Sequence, residues 1–364
     1  MSSYFSNNLR ILLAKRETVS GVAEPLADVD FDARVWDPVV TPTVEVDDEA
    51  SKYATGDHGE CESIMGAQSA AIDFSVKMNS APQNSLSRPA WFKFARACGC
   101  KVTEYQEDSA AVGYALQPKK TRDVSTMTIY VFDIPRSGGK AACYVFAGCM
   151  GNMTIGAEGV GKPWTANFSF TGKLKNIEEV EQSAIPALDL KDTAIAEKLL
   201  NYSLAFAPDG GNPQKISTFL LDTGNEISPL IDQADPTGYA YYSITKRSPR
   251  FSCNPLMNGS FEALFSAWKG GGTFPVALEP VQPENPAPED SAGFKLFIPN
   301  AQQLTAAVAS REGLVNWDLN LKALRNDGAE EKEDQEVTWE LVIGEKTGMV
   351  KPGKKAVKKK AGSA

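Results

Sequence analysis

The stretch PAWFKFARACG, Pro89–Gly99, decides how the chain is read. Proline suits a first helical position because its missing N–H has no partner there anyway, and glycine takes the left-handed conformation that closes helices. Between them Trp91, Phe92, Phe94, Ala95 and Cys98 supply a broad apolar face. Just before it, over Ala71–Met78, Ile72, Phe74, Val76 and Met78 alternate with Asp73, Ser75 and Lys77, the period of a half-buried strand. A second copy of this arrangement occurs later. Ser260–Gly270, SFEALFSAWKG, follows the strand-like run Gly238–Lys246, opens on a good N-cap and again ends on glycine. A strand–helix unit present twice reads as a repeated building block.

The composition agrees with turn-rich β structure. The chain has 364 residues, enough for two domains of ordinary size, and 42% are apolar while Gly 29 and Pro 22 disfavour helical bundles. The net charge of −9 hides an asymmetry: Lys351, Lys354, Lys355, Lys358, Lys359 and Lys360 lie at the end, and residues 1–350 carry −15. A body that acidic repels nucleic acid, whereas the tail is suited to acidic surfaces. The apolar run Ile11–Ala14 is too short for a leader peptide, and no run approaches a spanning helix. Cys61, Cys98, Cys100, Cys143, Cys149 and Cys253 form no C-x-x-C pair, so reduced thiols are expected.

In chain order, residues 1–27 read as an extended arm with an edge strand at Leu9–Ala14, and Val29–Val46 as strand. Further strands are expected at Val112–Gln117, Ser125–Phe132, Ala141–Gly148 and Trp164–Leu174, with a hairpin turn at Pro135–Lys140. After a polar connector the pattern restarts with Tyr202–Phe206, Ile216–Leu221, Tyr239–Lys246 and Arg250–Cys253. It continues past the second helix with Phe294–Ile298, Leu304–Val308, Val315–Leu324 and Val337–Ile343. A proline-rich loop is expected at 275–290. Trp164, Ala166, Phe168 and Phe170 align by alternation with Val315, Trp317, Leu319 and Leu321, the first copy carrying an extra hairpin after its helix. The expected fold is mainly β with a few short helices: two tandem β-sandwich domains, each flanked by one helix, with long hairpin loops. Their bounds are 1–185 with the N-terminal arm, a connector at 186–198, 199–345, and a flexible lysine-rich tail at 346–364.

Candidate chemistry is thin. Gly156–Lys162, GAEGVGK, has the spacing of a phosphate-binding loop, but Pro163 stands where a Ser or Thr should hold magnesium, and a strand follows instead of a helix. A glycine-rich turn is the expectation. His58, the sole histidine, sits with Asp57, Glu60 and Cys61 in an acidic loop and reads as solvated; one histidine and no cysteine pair give no zinc pattern. Cys98 and Cys100 flank Gly99, and a buried Cys98 on the helix face is expected in preference to a redox pair. No catalytic, cofactor or metal residues are assigned. The two acidic excursions say more. Glu45–Glu62 holds seven carboxylates against one lysine, and Asp222–Gly238 holds four with no basic residue. At corresponding points of a repeat they suit either the wall of a passage for a polyanion or a solubility device. Their candidate residues are Asp47, Asp48, Glu49, Asp57, Glu60 and Glu62 in the first and Asp222, Glu226, Asp232 and Asp235 in the second.

Over residues 9–345 the chain resembles the tail tube proteins of bacteriophages with long, non-contractile tails. The matching stretches in the first half are LLAKRETVSGVAEP, IDFSVKMN…PAWFKFARACG, STMTIYVF and FAGCMGNMTIGAEG…WTANFSFTGKL. In the second they are KISTFLLDTGNEIS, ITKRSPRFSCNPLMNGSFEALFSAW and LVNWDLNLKAL. The resemblance implies helix-flanked sandwiches whose long hairpins join neighbouring subunits into rings, stacked as a tube in the virion tail and assembled in the host cytoplasm. It implies no catalysis and no cofactor. The implied partners are further copies of the chain, a tape measure protein, and tail terminator or distal tail proteins. Double-stranded DNA passes through the lumen without specific binding, and the subunit does not insert in a membrane. Two sandwiches per chain would make three chains a pseudo-hexameric ring. The competing readings are a terminator or distal tail ring of the same fold, and a carbohydrate-binding tandem sandwich using Tyr239, Tyr241 and Tyr242.

Overall fold

A computed structural model describes residues 5–26, 35–47, 63–78, 89, 91–107, 110–119, 125–136, 138–186, 199–200, 202–206, 213–257, 261–280, 293–311, 313–328 and 337–344. It is mainly β. The first half runs β1 (Phe5–Arg16), β2 (Trp36–Asp47), β3 (Ile64–Lys77), α1 (Phe92–Ala97), β4 (Cys100–Glu107), β5 (Ala110–Pro118), β6 (Met127–Pro135), β7 (Lys140–Ala157) and β8 (Thr165–Glu181). The second half runs β9 (Tyr202–Phe206), β10 (Pro213–Gln214), β11 (Phe219–Asp222), β12 (Asn225–Ile231), β13 (Tyr239–Arg247) and β14 (Arg250–Cys253). It continues through α2 (Phe261–Gly270), β15 (Thr273–Pro280), β16 (Phe294–Arg311), β17 (Leu314–Ala323) and β18 (Glu340–Gly344).

The same pairing scheme occurs twice. In the first half β1 pairs with β6, β6 with β7, β7 with β8, β8 with β3 and β3 with β2, all antiparallel. In the second, β9 pairs with β15, β15 with β16, β16 with β17, β17 with β14 and β14 with β11. Chain order maps β1, β2, β3, α1, β6, β7 and β8 onto β9, β11, β14, α2, β15, β16 and β17. The extra hairpin expected in the first copy is β4–β5. The halves are not separate sheets. β11 pairs with the end of β7, and β18 bridges β16 to β5, so 16 strands form one hydrogen-bonded network.

Local chemistry explains most elements. In β8, Ala166, Phe168 and Phe170 face inward while Asn167 and Ser169 are exposed, the alternation seen in the sequence. Turns fall at Gly138 and Gly139, and at Gly159–Lys162, where Lys162 N donates to Gly159 O at 3.0 Å. The phosphate-loop spacing is therefore a turn between β7 and β8. Three expectations need correction. β8 continues past its expected end at Leu174 to Glu181, through a polar stretch paired with β7 though its side chains are largely exposed. Residues 225–231, expected as loop, are β12, paired with β13 in a two-stranded arm. Part of the expected proline-rich loop, 275–280, is the end of β15. The connector residues 187–198 and the tail lie outside the described residues.

The helices also differ. α1 is shorter than its eleven-residue sequence signature, and Phe92, Phe94, Ala95 and Ala97 are all buried. Phe94 packs against Phe74 with ring centroids 4.8 Å apart. α2 buries Leu264 but exposes Phe265 and Trp268.

A buried carboxylate ties the N-terminal segment to the sheet. Glu17 accepts hydrogen bonds from Gly21 N at 2.6 Å, Gly148 N at 2.7 Å, Thr128 Oγ1 at 2.9 Å and the Thr126 hydroxyl. Glu17→Ala strands two backbone donors and two hydroxyls, and should destabilise the protein by about 3 kcal/mol. Glu17→Gln should recover part of the loss. Denaturant unfolding of the three proteins checks this; equal midpoints for wild type and Glu17→Ala would remove the clamp role.

Candidate assembly surface

The junction between the halves shows how one unit receives another. β7 is long enough to serve two neighbours on one edge. Its first part pairs with β6, and Thr154–Ala157 pair with Asp222–Phe219 of β11. Beyond the register, Thr223 N donates to Met153 O at 3.0 Å. The core is continuous across the junction. Trp164, from the β7–β8 turn, is fully buried against Phe219, Tyr202 and Phe294 of the second half, with ring centroids at 4.4, 5.2 and 5.2 Å.

The β12–β13 arm then lies over the first half. Tyr239, Tyr242 and Ile244 form a small cluster with Met150, joined by Ala67 and Ile227. Close approach depends on glycines. A Cβ at Gly21 (φ +81) would fall 2.1 Å from Ala240 O, and one at Gly148 (φ +64) 2.8 Å from Tyr241 Cα. A Cβ at Gly99 (φ +78), the glycine that closes α1, would fall 2.9 Å from Ile244 Cδ1. These φ values and contacts both demand glycine. Polar anchors set the position. Arg247 donates through Nη2 to Gly99 O and through Nη1 to Lys119 O, both at 3.0 Å. Burial lowers its pKa. Asn225 Nδ2 donates to Cys98 O at 2.7 Å and to Gly151 O at 3.0 Å. At the tip, Lys173 Nζ lies 2.6 Å from Asp235 Oδ2, Tyr239 donates to Glu45 at 2.6 Å and Gln68 N donates to Thr237 O at 3.0 Å.

The acidic candidates of the second excursion are thereby dispersed. Asp222 accepts from Asn152 Nδ2 and Gly224 N, both at 2.8 Å, and so fixes the bend between β11 and β12. Asp235 is the docking anchor. Glu226 is exposed, 3.8 Å from Lys246 across the arm, and Asp232 caps the tip turn by accepting from Ala234 N at 2.9 Å. Asp47 ends β2 opposite Ile64, whereas Asp48, Glu49, Asp57, His58, Glu60, Cys61 and Glu62 lie outside the described residues. Tyr239 and Tyr242 are buried by docking and offer no aromatic platform for a sugar. Cys98 and Cys100 are buried; burial pushes the Cys98 thiol well up and that of Cys100 up to about 12, so both stay protonated at neutral pH.

The features used at the junction recur, uncovered among the described residues, at the far end of each half. With Phe168 set on Leu319, Ile155 of β7 corresponds to Val308 of β16, and Trp164 to Val315. Ile155 and Trp164 are 0% exposed; Val308 is 62% and Val315 47% exposed. The arm pair Ile227–Ile244, just past an extra residue in β13, corresponds to Val46–Met65, just past an extra residue in β3. Ile244 is 5% exposed, Met65 65%. Gly271, which ends α2 with φ +66, has only the Gln302 amide near it, at 3.9 Å from a built Cβ. Sequence reading missed this surface because a buried and an exposed apolar residue look alike in a strand; the repeat alignment alone carried the signal. Among the described residues no helix is long and apolar enough to cross a membrane. Neither the known protein-family models nor the curated proteins include a match to this chain.

The docking anchor sets a pH response. Burial raises the Asp235 carboxyl, but hydrogen bonds from Lys173 and Thr237 outweigh it and bring the group down to about 2. A depressed carboxylate stabilises fully above its unfolded value of about 4, and the contribution is lost as pH falls through the folded value. Protection of the arm's amides from hydrogen exchange, taken relative to their intrinsic rates, should therefore fall between about pH 4 and pH 2. Asp235→Asn should lower it at neutral pH by weakening docking about 1–2 kcal/mol, a modest figure because Asp235 keeps contact with solvent. An unchanged exchange pattern in the variant would show that the ion pair does not hold the arm.

Proposed function

We propose that this chain is a structural subunit of a bacteriophage tail tube. It assembles with copies of itself into rings, three chains supplying six sheet units, and the rings stack into the tube of a long, non-contractile tail. The observation that carries the reading is the doubled sheet unit, whose internal junction uses a strand edge and a hairpin arm that recur at its other ends uncovered among the described residues. A unit that receives its own second half in this way is suited to receive another chain. Sheet edges left open by a fold are ordinary sites of strand addition. The chain is read as non-enzymatic, located in the virion tail and assembled in the host cytoplasm. Its partners are further copies of itself, a tape measure protein and the proteins that end the tube.

In this reading the acidic stretch after β2 faces the lumen or the next ring, where like charge keeps passing DNA from adhering. Electron microscopy of the purified protein tests the proposal: hollow tubes of stacked rings with three chains per ring are expected. Rings that never stack would move the protein to a terminator role on the same fold, and dispersed monomers would overturn assembly altogether. The combined change Asp47→Lys, Asp48→Lys and Glu49→Lys should leave the folded monomer intact, since charge changes in a stretch without apolar residues usually cost little. It should disturb tube formation or DNA passage; unchanged tubes and unchanged infectivity would remove the acidic stretch from the function.

A further inference from the structure

We infer that the open edge of β2 in one copy pairs antiparallel with the open edge of the second half of β16 in the next. The inference rests on the self-assembly reading above and assigns it a surface and a register. At the internal junction Phe219, Leu220, Leu221 and Asp222 face Ala157, Gly156, Ile155 and Thr154. Strand correspondence carries each partner to its equivalent. β11 matches β2 through their shared places beside β14 and β3, which sets Leu221 on Val40. β7 matches β16 through β8 and β17, which sets Ile155 on Val308. The register between copies is then Pro38 with Ser310, Val39 with Ala309, Val40 with Val308 and Thr41 with Ala307.

The free strands have the features this pairing needs. β2 ends the strand path of the sheet, and the second half of β16 pairs only with β17 among the described residues. Val39 and Val308 are exposed. Burial follows the same order in the two equivalents: Pro38 and Phe219 are buried, Val39 and Leu220 exposed. Ala309 is a methyl larger than Gly156, and the side chain set against it is correspondingly smaller, Val39 in place of Leu220.

Backbone direction narrows the contact. Since Thr223 N points at β7, the alternation of strands puts residues 219 and 221 on that edge too, and so Pro38, Val40 and Pro42 on the open edge of β2. Two of these have no N–H, and the Pro38 carbonyl already accepts from Arg10 Nη1 at 2.7 Å. Val40 alone is left to exchange both backbone bonds, with Val308. A Pro38–Pro42 stretch with one donor is a poor template for indiscriminate strand pairing. Specificity then comes from the arm: Val46 and Met65 of β2–β3 take the place that Ile227 and Ile244 hold within the chain. They cover the end of α2 at Gly271, beside exposed Phe265 and Trp268. Because the two surfaces are different patches, the contact is head-to-tail and propagates until it closes.

Val39 and Ala309 occupy a non-hydrogen-bonded pair, where cross-strand Cα atoms come within disulfide reach. The double variant Val39→Cys with Ala309→Cys, oxidised after assembly, should give a ladder on a non-reducing gel that ends at the ring's chain number. Each single variant and the wild type should give none. Val308→Pro removes only an N–H on the open edge, so it should keep the monomer's circular dichroism and melting while abolishing assembly in light scattering. Assembly of the double variant without cross-linking, or normal assembly of Val308→Pro, would overturn the register while leaving self-assembly standing. A wild type that stays monomeric would overturn both.

Discussion

The sharing of β7 between two neighbours is the constraint on which the structure depends. A strand edge holds unpaired N–H and C=O groups along its length, and leaving them buried without partners costs about as much as the bonds they would make. β6 covers only the beginning of β7, so its end has to be met by something else, and β11 meets it. Placing β11 there brings Phe219 under Trp164 and makes one core of two halves. The arm that continues from β11 then has no choice but to run over the first half.

Docking of that arm is a matter of backbone proximity more than of apolar area. The cluster around Met150 is small beside the main core. What makes the contact tight is the absence of side chains at Gly21, Gly99 and Gly148, which lets a strand lie directly on the turns beneath it. The carbonyls exposed at the end of α1 find their donors in Arg247 and Asn225. These donors replace water at a helix end that would otherwise carry unsatisfied groups. The Glu17 clamp supports the same place from below, since Gly21 and Gly148 are both its donors and the floor of the arm.

Much of the fold was legible in the sequence wherever one face is wet and the other dry. Alternation located β3 and β8 because Asn167 and Ser169 stay exposed while Phe168 and Phe170 are buried. It failed for β12, a ribbon whose burial pattern, mostly exposed along Asn225–Ile231, has no dry face to betray it. It failed for the end of β8 for the same reason: backbone pairing with β7 holds Lys175–Glu181 extended without help from side chains. The helices were legible as signatures but not in their burial. α1 and α2 both read as short helices closed by glycine, yet one is enclosed and the other leaves Phe265 and Trp268 partly in solvent. The correspondence of the two acidic stretches did point to corresponding hairpins. In the second stretch the charges did not stay together: Asp222 and Asp235 serve the arm's geometry, and only the repeat relation singled out the open apolar edges.

The strap formed by β18 has a consequence for biosynthesis. Leu341 lies beside Leu116 and Ile343 beside Tyr114, so the edge of β5 away from β4 waits for its neighbour until the second half has been translated. Until then a nascent chain emerging from the ribosome holds β5 paired with β4 alone, its other edge open. Pairings this remote in sequence are slow to form and expose edges while they wait. The order of synthesis thus makes β18 a latch, joining the halves only after the second has been made.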